Sequence, residues 1–203
     1  MLGSGQRQAS AKPGARAAAK THTIAAMLRG RGFTGKFEVG GASYSFTYSP
    51  KKASVADGKL QLVGSLSIID GRPNARVAPH GVSDVRATLL AIQGGIGTAP
   101  PRQKLPPEIS TVRPDLPIVE STGSLSFCGV LYFKLSPLDG RALGVAADMR
   151  ELQLNVRLAP LSDAERNLQG AFSSIADALY GNQVDRPMAE ASAVELNKLL
   201  AID

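Results

Sequence analysis

The sequence has no tryptophan, one cysteine and two histidines among its 203 residues. The single cysteine, Cys128, excludes an intramolecular disulfide and a cysteine-based metal site. It stands within an apolar run, and free cysteine commonly packs as a small hydrophobic residue, so we predict a buried, inert thiol. Because aromatic residues make up only 5% of the chain, the core has to be built mainly from Leu, Val, Ile and Ala.

The scarcity of histidine and cysteine also removes most catalytic and metal-binding arrangements. Transition-metal sites usually take three or four such ligands, and only His22 and His80 accompany the cysteine. The chain has no Gly-x-Ser-x-Gly motif for a serine nucleophile. The glycine-rich segment 94–98 is followed by prolines and lacks Gly-Lys-Ser/Thr, which excludes a P-loop. We therefore predict no catalytic, cofactor-binding or metal-binding residues and favour a protein that is not an enzyme.

Long hydrophobic runs are missing as well. No stretch approaches the roughly 20 apolar residues that a membrane-spanning helix needs, and the N-terminus lacks the apolar core and cleavage site of a secretory signal. We expect a soluble cytoplasmic protein. Residues 1 to 32 are rich in Arg and Ala and free of acidic residues, which is also typical of a transit segment, and on that alternative the protein resides in an organelle lumen.

Acidic residues are absent before Glu38, so the net charge of +6 is unevenly distributed. Residues 1–36 carry seven basic side chains, while the rest of the chain has 16 basic against 17 acidic ones. We predict that 1–36 is a flexible basic arm, with at most one or two helical turns at Thr23–Leu28. Its cations suit nucleic-acid phosphates, lipid headgroups or an acidic protein surface. The predicted binding residues of the arm are Arg7, Lys12, Arg16, Lys20, Arg29, Arg31 and Lys36.

From residue 37 the hydrophobic pattern has a period of two, which predicts an antiparallel β domain over 37–161. Tyr44, Phe46 and Tyr48 alternate with Ser and Thr, so this strand has one aromatic face and one hydroxyl face. Residues 94–117 contain six prolines and form a predicted long loop within the domain. Residues 152–158 alternate strictly between apolar and polar, which predicts a strand with one face in water.

The last segment, 162–203, has the features of two helices. Ser162 and Glu165 have capping-box spacing, and an amphipathic stripe follows them. A second helix is predicted from about Pro187. The apolar contacts of the first helix are Leu168, Phe172, Ile175 and Leu179, and those of the second are Val194, Leu196, Leu199 and Leu200. The predicted fold is mainly β, with five or six strands in an antiparallel sandwich or barrel flanked by helix.

These features favour a non-catalytic interaction protein, an accessory or structural subunit that docks on partner proteins through its β body. One alternative is a β-barrel carrier for a hydrophobic small molecule, whose pocket the Leu-rich strands and the aromatic face would line. Another is non-specific nucleic-acid binding through the basic arm. The pattern predicts no cofactor for any of the three.

Overall fold

The computed structural model describes residues 22–71, 80–93, 129–145, 148–180 and 183–201. Within these ranges the chain forms seven strands, two α-helices and a short 3-10 helix, η1. The elements in chain order are β1 (His22–Arg29), β2 (Gly32–Val39), β3 (Ala42–Ala56), β4 (Lys59–Asp70), β5 (His80–Gln93), β6 (Gly129–Leu135), η1 (Arg141–Leu143), β7 (Leu152–Leu158), α1 (Asp163–Tyr180) and α2 (Arg186–Ala201). The predicted β fold with C-terminal helices is confirmed, with seven described strands instead of five or six.

The seven strands close into a barrel in the order β1-β2-β3-β4-β5-β6-β7. Each strand pairs antiparallel with the next along the chain, and β1 pairs parallel with β7, His22 opposite Leu152. Strand directions alternate, so an odd number of strands leaves the first and last pointing the same way. Closure therefore requires a parallel pair, which the prediction of a purely antiparallel sheet did not contain.

The predicted boundary of the basic arm at residue 36 is wrong. Strands β1 and β2 occupy most of 22–36, and residues 1–21 lie outside the described part of the chain. Ile24, Ala26 and Leu28 are buried at a period of two. The segment Thr23–Leu28, predicted to form at most one or two helical turns, is therefore a strand. Pairing with β2 and β7 on both sides outweighs this weak helical pattern, because it satisfies the strand's backbone groups.

Aromatic side chains fill the barrel at its centre. The ring of Phe33 lies 6.0 Å from Tyr48, 5.7 Å from Phe133 and 5.7 Å from Phe172, measured between centroids. All four side chains are buried, and the Tyr48 hydroxyl donates a hydrogen bond to the Val85 carbonyl at 3.0 Å. The interior of the barrel is thus a packed core.

Two glycines allow the barrel wall to pack this closely. A Cβ atom on Gly35 would lie 2.2 Å from the Ala25 carbonyl oxygen and 2.8 Å from the Phe46 ring. A Cβ atom on Gly64 would lie 2.2 Å from the Ser49 carbonyl oxygen. Gly64 sits beside register shifts on both sides, toward β3 and toward β5. The absence of side chains here lets neighbouring backbones approach where the sheet bends.

Helix α1 covers the end of the barrel at which the β1–β2 turn lies. The amide of Glu165 donates to the Ser162 hydroxyl at 3.2 Å, which confirms the predicted N-cap. Phe172, midway along the helix, contacts Phe33, and the Tyr180 hydroxyl donates to the Leu89 carbonyl at 2.6 Å. The predicted apolar stripe of the helix is buried throughout. At the other end, the β6–β7 connection contributes Leu138, Leu143 and Met149 to the same core.

Helix α2 packs on α1 and on β3. Its Asn197 side chain accepts a hydrogen bond from the Ala53 amide at 2.7 Å and donates one to the Ala53 carbonyl at 2.8 Å. Here β3 extends beyond the end of its pairing with β2, so these backbone groups belong to a strand edge. The Asn197 carboxamide forms the hydrogen bonds that the backbone of a neighbouring strand would form. These backbone groups are therefore not open to pairing with another chain.

The predicted wet face of β7 is corrected, because Gln153 and Asn155 are buried on it. The Gln153 amide nitrogen donates to the Asn155 side-chain oxygen at 2.6 Å. Alternation fixes which side chains share a face of the sheet, and it carries no information on whether other segments cover that face. The predicted loop 94–117 and Cys128 lie outside the described residues.

Candidate functional site

Of the seven predicted binding cations, the structure describes three, Arg29, Arg31 and Lys36. Arg7, Lys12, Arg16 and Lys20 lie outside the described residues. The Arg29 guanidinium donates to the carbonyls of Leu28 at 2.6 Å and Ala159 at 2.9 Å, so this side chain serves the structure. Arg31 is exposed in the β1–β2 turn, and Lys36 is exposed on the outer face of β2. Of the described members of the set, only these two can reach a partner freely.

The carboxylate of Glu165 is buried and connects two separate parts of the described structure. Its two oxygens accept hydrogen bonds from the Gly30 and Leu161 amides, each at 2.7 Å, and Arg29 lies 3.9 Å away. Glu165 is only 5% exposed. The sequence predicted its capping role at the helix start, whereas its contact with the β1–β2 turn spans 135 residues and has no local signal. We assign it to joining α1 to the barrel.

A shallow depression of about 580 Å³ lies in the β6–β7 connection. Two Asp-x-Arg units line it, Asp139 with Arg141 and Asp148 with Arg150. The Arg150 guanidinium binds the Asp148 carboxylate, and these hydrogen bonds lower the pKa of Asp148 to about 2. A carboxyl group with this pKa stays ionised near neutral pH and cannot donate a proton to a substrate. Asp148 is therefore not a candidate general acid.

Two large hydrophobic side chains of α2 face solvent. Met188 is 55% exposed and Val194 is 57% exposed, and Ala191 between them is exposed as well. The buried residues of this helix, Ala189, Ala193, Leu196 and Leu200, lie on another side. The solvent side also carries Glu195 and Lys198, which form an ion pair, so it is mixed in character. The sequence analysis placed Val194 among the buried contacts, which is wrong. We call Met188, Ala191 and Val194 the α2 outer face.

A second candidate surface is the outer side of β2, β3 and β4. Alternate residues of these strands carry hydroxyl groups that point away from the core, as the pattern of β3 predicted. We call this surface the hydroxyl face. Its hydroxyl-bearing residues are Thr34, Ser45, Thr47, Ser49, Ser65 and Ser67, and all six are partly exposed.

Two further kinds of site, a metal centre and a membrane-spanning helix, are absent from the described residues. The described residues contain no cluster of three or more His, Cys, Asp or Glu side chains that could hold a metal ion. None of the helices in the described ranges is long and apolar enough to cross a membrane. Comparisons with family models, with curated proteins and with solved structures found no match to this chain.

Proposed function

We propose that the protein is a non-catalytic interaction module, which docks on a partner protein through the α2 outer face. The observation that carries this proposal is the exposure of two large hydrophobic side chains, Met188 and Val194, on the solvent side of α2. A surface helix of a globular protein normally places polar residues on its outer side. Large hydrophobic side chains exposed on a helix already anchored to the barrel favour contact with another protein.

The way α2 is held supports the same role. Its inner side packs on α1 and β3, and Asn197 fastens it to the backbone of Ala53. The helix is thus positioned before any partner arrives, which reduces the ordering cost of binding. Burying the exposed halves of Met188 and Val194 would contribute about 1 kcal/mol each.

The alternative of a hydrophobic small-molecule carrier has less support. A carrier barrel needs an open interior, and here the Phe33 ring packs against Tyr48, Phe133 and Phe172, all of which are buried. Helix α1 and the β6–β7 connection lie over the two ends. The cytoplasmic location, its organelle-lumen alternative and the binding role of residues 1–21 stay predictions.

The test is capture of partner proteins from native extract by the immobilised full-length chain. We expect proteins retained in stoichiometric amounts by the wild type to be lost with the double variant Met188→Glu and Val194→Glu. Two buried contacts of about 1 kcal/mol correspond to at least a tenfold loss of affinity. Sedimentation of the purified protein would show whether the partner is a second copy of the chain.

Leu161→Glu is the matched control, because Leu161 is 72% exposed but lies before α1, away from the α2 outer face. Its substitution adds the same kind of charge and should leave capture unchanged. Equal loss in both variants, or retention by the double variant, would remove the α2 outer face from the proposal.

A further inference from the structure

The hydroxyl face has a regular geometry that the docking role of α2 does not use. Thr34, Thr47 and Ser67 are direct cross-strand neighbours on β2, β3 and β4. Ser49 and Ser65 form the next pair, one row along the strands. Adjacent strands are about 4.8 Å apart and alternate rows about 6.7 Å apart, so the hydroxyls form a grid on a rigid sheet.

These hydroxyls are available to a ligand. Within the described residues, none of the six donates or accepts a side-chain hydrogen bond that the fold requires, and each is partly exposed. Ser45 has no hydroxyl-bearing residue directly opposite it, because its cross-strand neighbours are Lys36 on β2 and Ile69 on β4. Hydroxyl groups held at fixed positions can donate hydrogen bonds to an acceptor-rich partner.

Basic side chains border the hydroxyl face. Lys36 lies within it, while Lys52 and Arg86 flank Val63 across β3, β4 and β5. Lys51, at the register shift of β3, is exposed next to Lys52. The acidic residues at its margins are Glu38, Asp57, Asp70 and Asp84, and Lys59 lies close to Asp57 in sequence. With Lys59, five basic side chains stand against four acidic ones, so the balance of the surface is slightly positive.

We propose that the hydroxyl face binds the phosphate backbone of a nucleic-acid duplex, without reading its sequence. Lys, Arg, Ser and Thr side chains are the groups that contact phosphates in such complexes, and a grid of them matches a repeating polyanion. Tyr44, Phe46 and Tyr48 point into the core, so the described face offers no ring on which single-stranded bases could stack.

A membrane surface fits less well than a duplex. Anchoring in a bilayer interface uses apolar or aromatic side chains beside the cations. On this face Ile69 is the single large hydrophobic side chain exposed among the described residues, and it is 47% exposed. This inference does not rest on docking through α2, because the two surfaces share no residue.

The experiment measures binding of the full-length protein to a fluorescent mixed-sequence duplex by anisotropy, at several salt concentrations from about 50 to about 200 mM. We expect affinity to fall steeply with salt. The double variant Lys52→Gln and Arg86→Gln should bind more weakly and lower the slope of log K against log salt by about 2, because each lost phosphate contact removes about 0.9. Thr47→Val with Ser67→Ala should weaken binding about tenfold without changing the slope.

Arg141→Gln with Arg150→Gln is the matched control, since it removes the same charge from the β6–β7 connection, outside strands β2, β3 and β4. Equal losses in test and control variants would mean unspecific charge attraction and would overturn the proposal. The proposal would also be overturned if no duplex binds, or if the protein prefers vesicles rich in phosphatidylserine. It would be overturned as well if replacing Arg7, Lys12, Arg16 and Lys20 by Gln abolishes binding while the variants of the hydroxyl face bind normally. The α2 double variant should bind the duplex normally, which separates this result from the docking test.

Discussion

At the scale of single residues, the carboxylate of Glu165 joins parts of the chain that the sequence keeps far apart. Its oxygens accept the amides of Gly30 and Leu161, so one side chain connects the β1–β2 turn with the start of α1. Hydrogen bonds to a charged acceptor are stronger than neutral ones, and this one is shielded from water. Arg29, held by two carbonyls, lies beside it.

We predict that Glu165→Ala lowers the free energy of unfolding by about 3 kcal/mol, because two amides lose a charged acceptor in a buried place. Glu165→Gln should lose less, since one side-chain oxygen can still accept from one amide. Urea unfolding near neutral pH measures both variants. A loss below about 0.5 kcal/mol for the alanine variant would contradict the joining role.

At the scale of elements, strands and helices differ in how well the sequence predicted them. Strands β3 and β7 and helix α1 have strong periods, and each was predicted. Strand β1 was missed because the positions of its apolar residues fit a helical period as well as the period of two of a strand. Pairing with β7, which is remote in sequence, makes this segment a strand. The outer face of α2 was missed because Val194 and Leu196 look alike in sequence, and only packing on α1 and β3 separates them.

The tight approach of β2 to its neighbours gives a prediction about glycine. Gly35→Ala would place a Cβ atom 2.2 Å from a backbone oxygen of β1, which neither strand can avoid without breaking register. We expect a loss of about 3 kcal/mol or more, or failure to fold.

Gly170→Ala is the control, since Gly170 lies within α1 and a Cβ atom there meets nothing within 4 Å. Alanine favours the helix over glycine by about 0.5–1 kcal/mol, so this variant should be more stable than the wild type. Thermal melting followed by circular dichroism compares the two variants. Similar melting temperatures for both would show that β1 and β2 are not packed as described.

At the scale of the whole molecule, closure of the barrel follows from properties that no single segment carries. The number of strands sets the parallel β1–β7 pair, and the registers of all seven pairings have to be compatible for the sheet to close. The sequence analysis therefore left barrel and sandwich open. The candidate surfaces were predicted only in part: the hydroxyl pattern of β3 was evident, but its alignment with Thr34, Ser65 and Ser67 depends on register.

The packed core also sets an alkaline limit to stability. Burial raises the pKa of Tyr48, and it raises the pKa of Tyr180 to about 12. In the unfolded chain these tyrosines ionise near pH 10. Below that pH both states hold the protons, and above it the unfolded state releases them first, so stability should fall as the pH rises from about 10 toward about 12.

Urea unfolding at intervals from about pH 8 to about pH 11.5 tests this expectation. Tyr180→Phe keeps the ring but removes both the titrating group and its hydrogen bond to the Leu89 carbonyl. It should therefore be less stable than the wild type at pH 8 and lose less of its stability between pH 10 and pH 11.5. If the two proteins lose stability in parallel across this range, Tyr180 is not a source of the alkaline limit, and its hydroxyl is not held inside the folded molecule at the contact between α1 and β5.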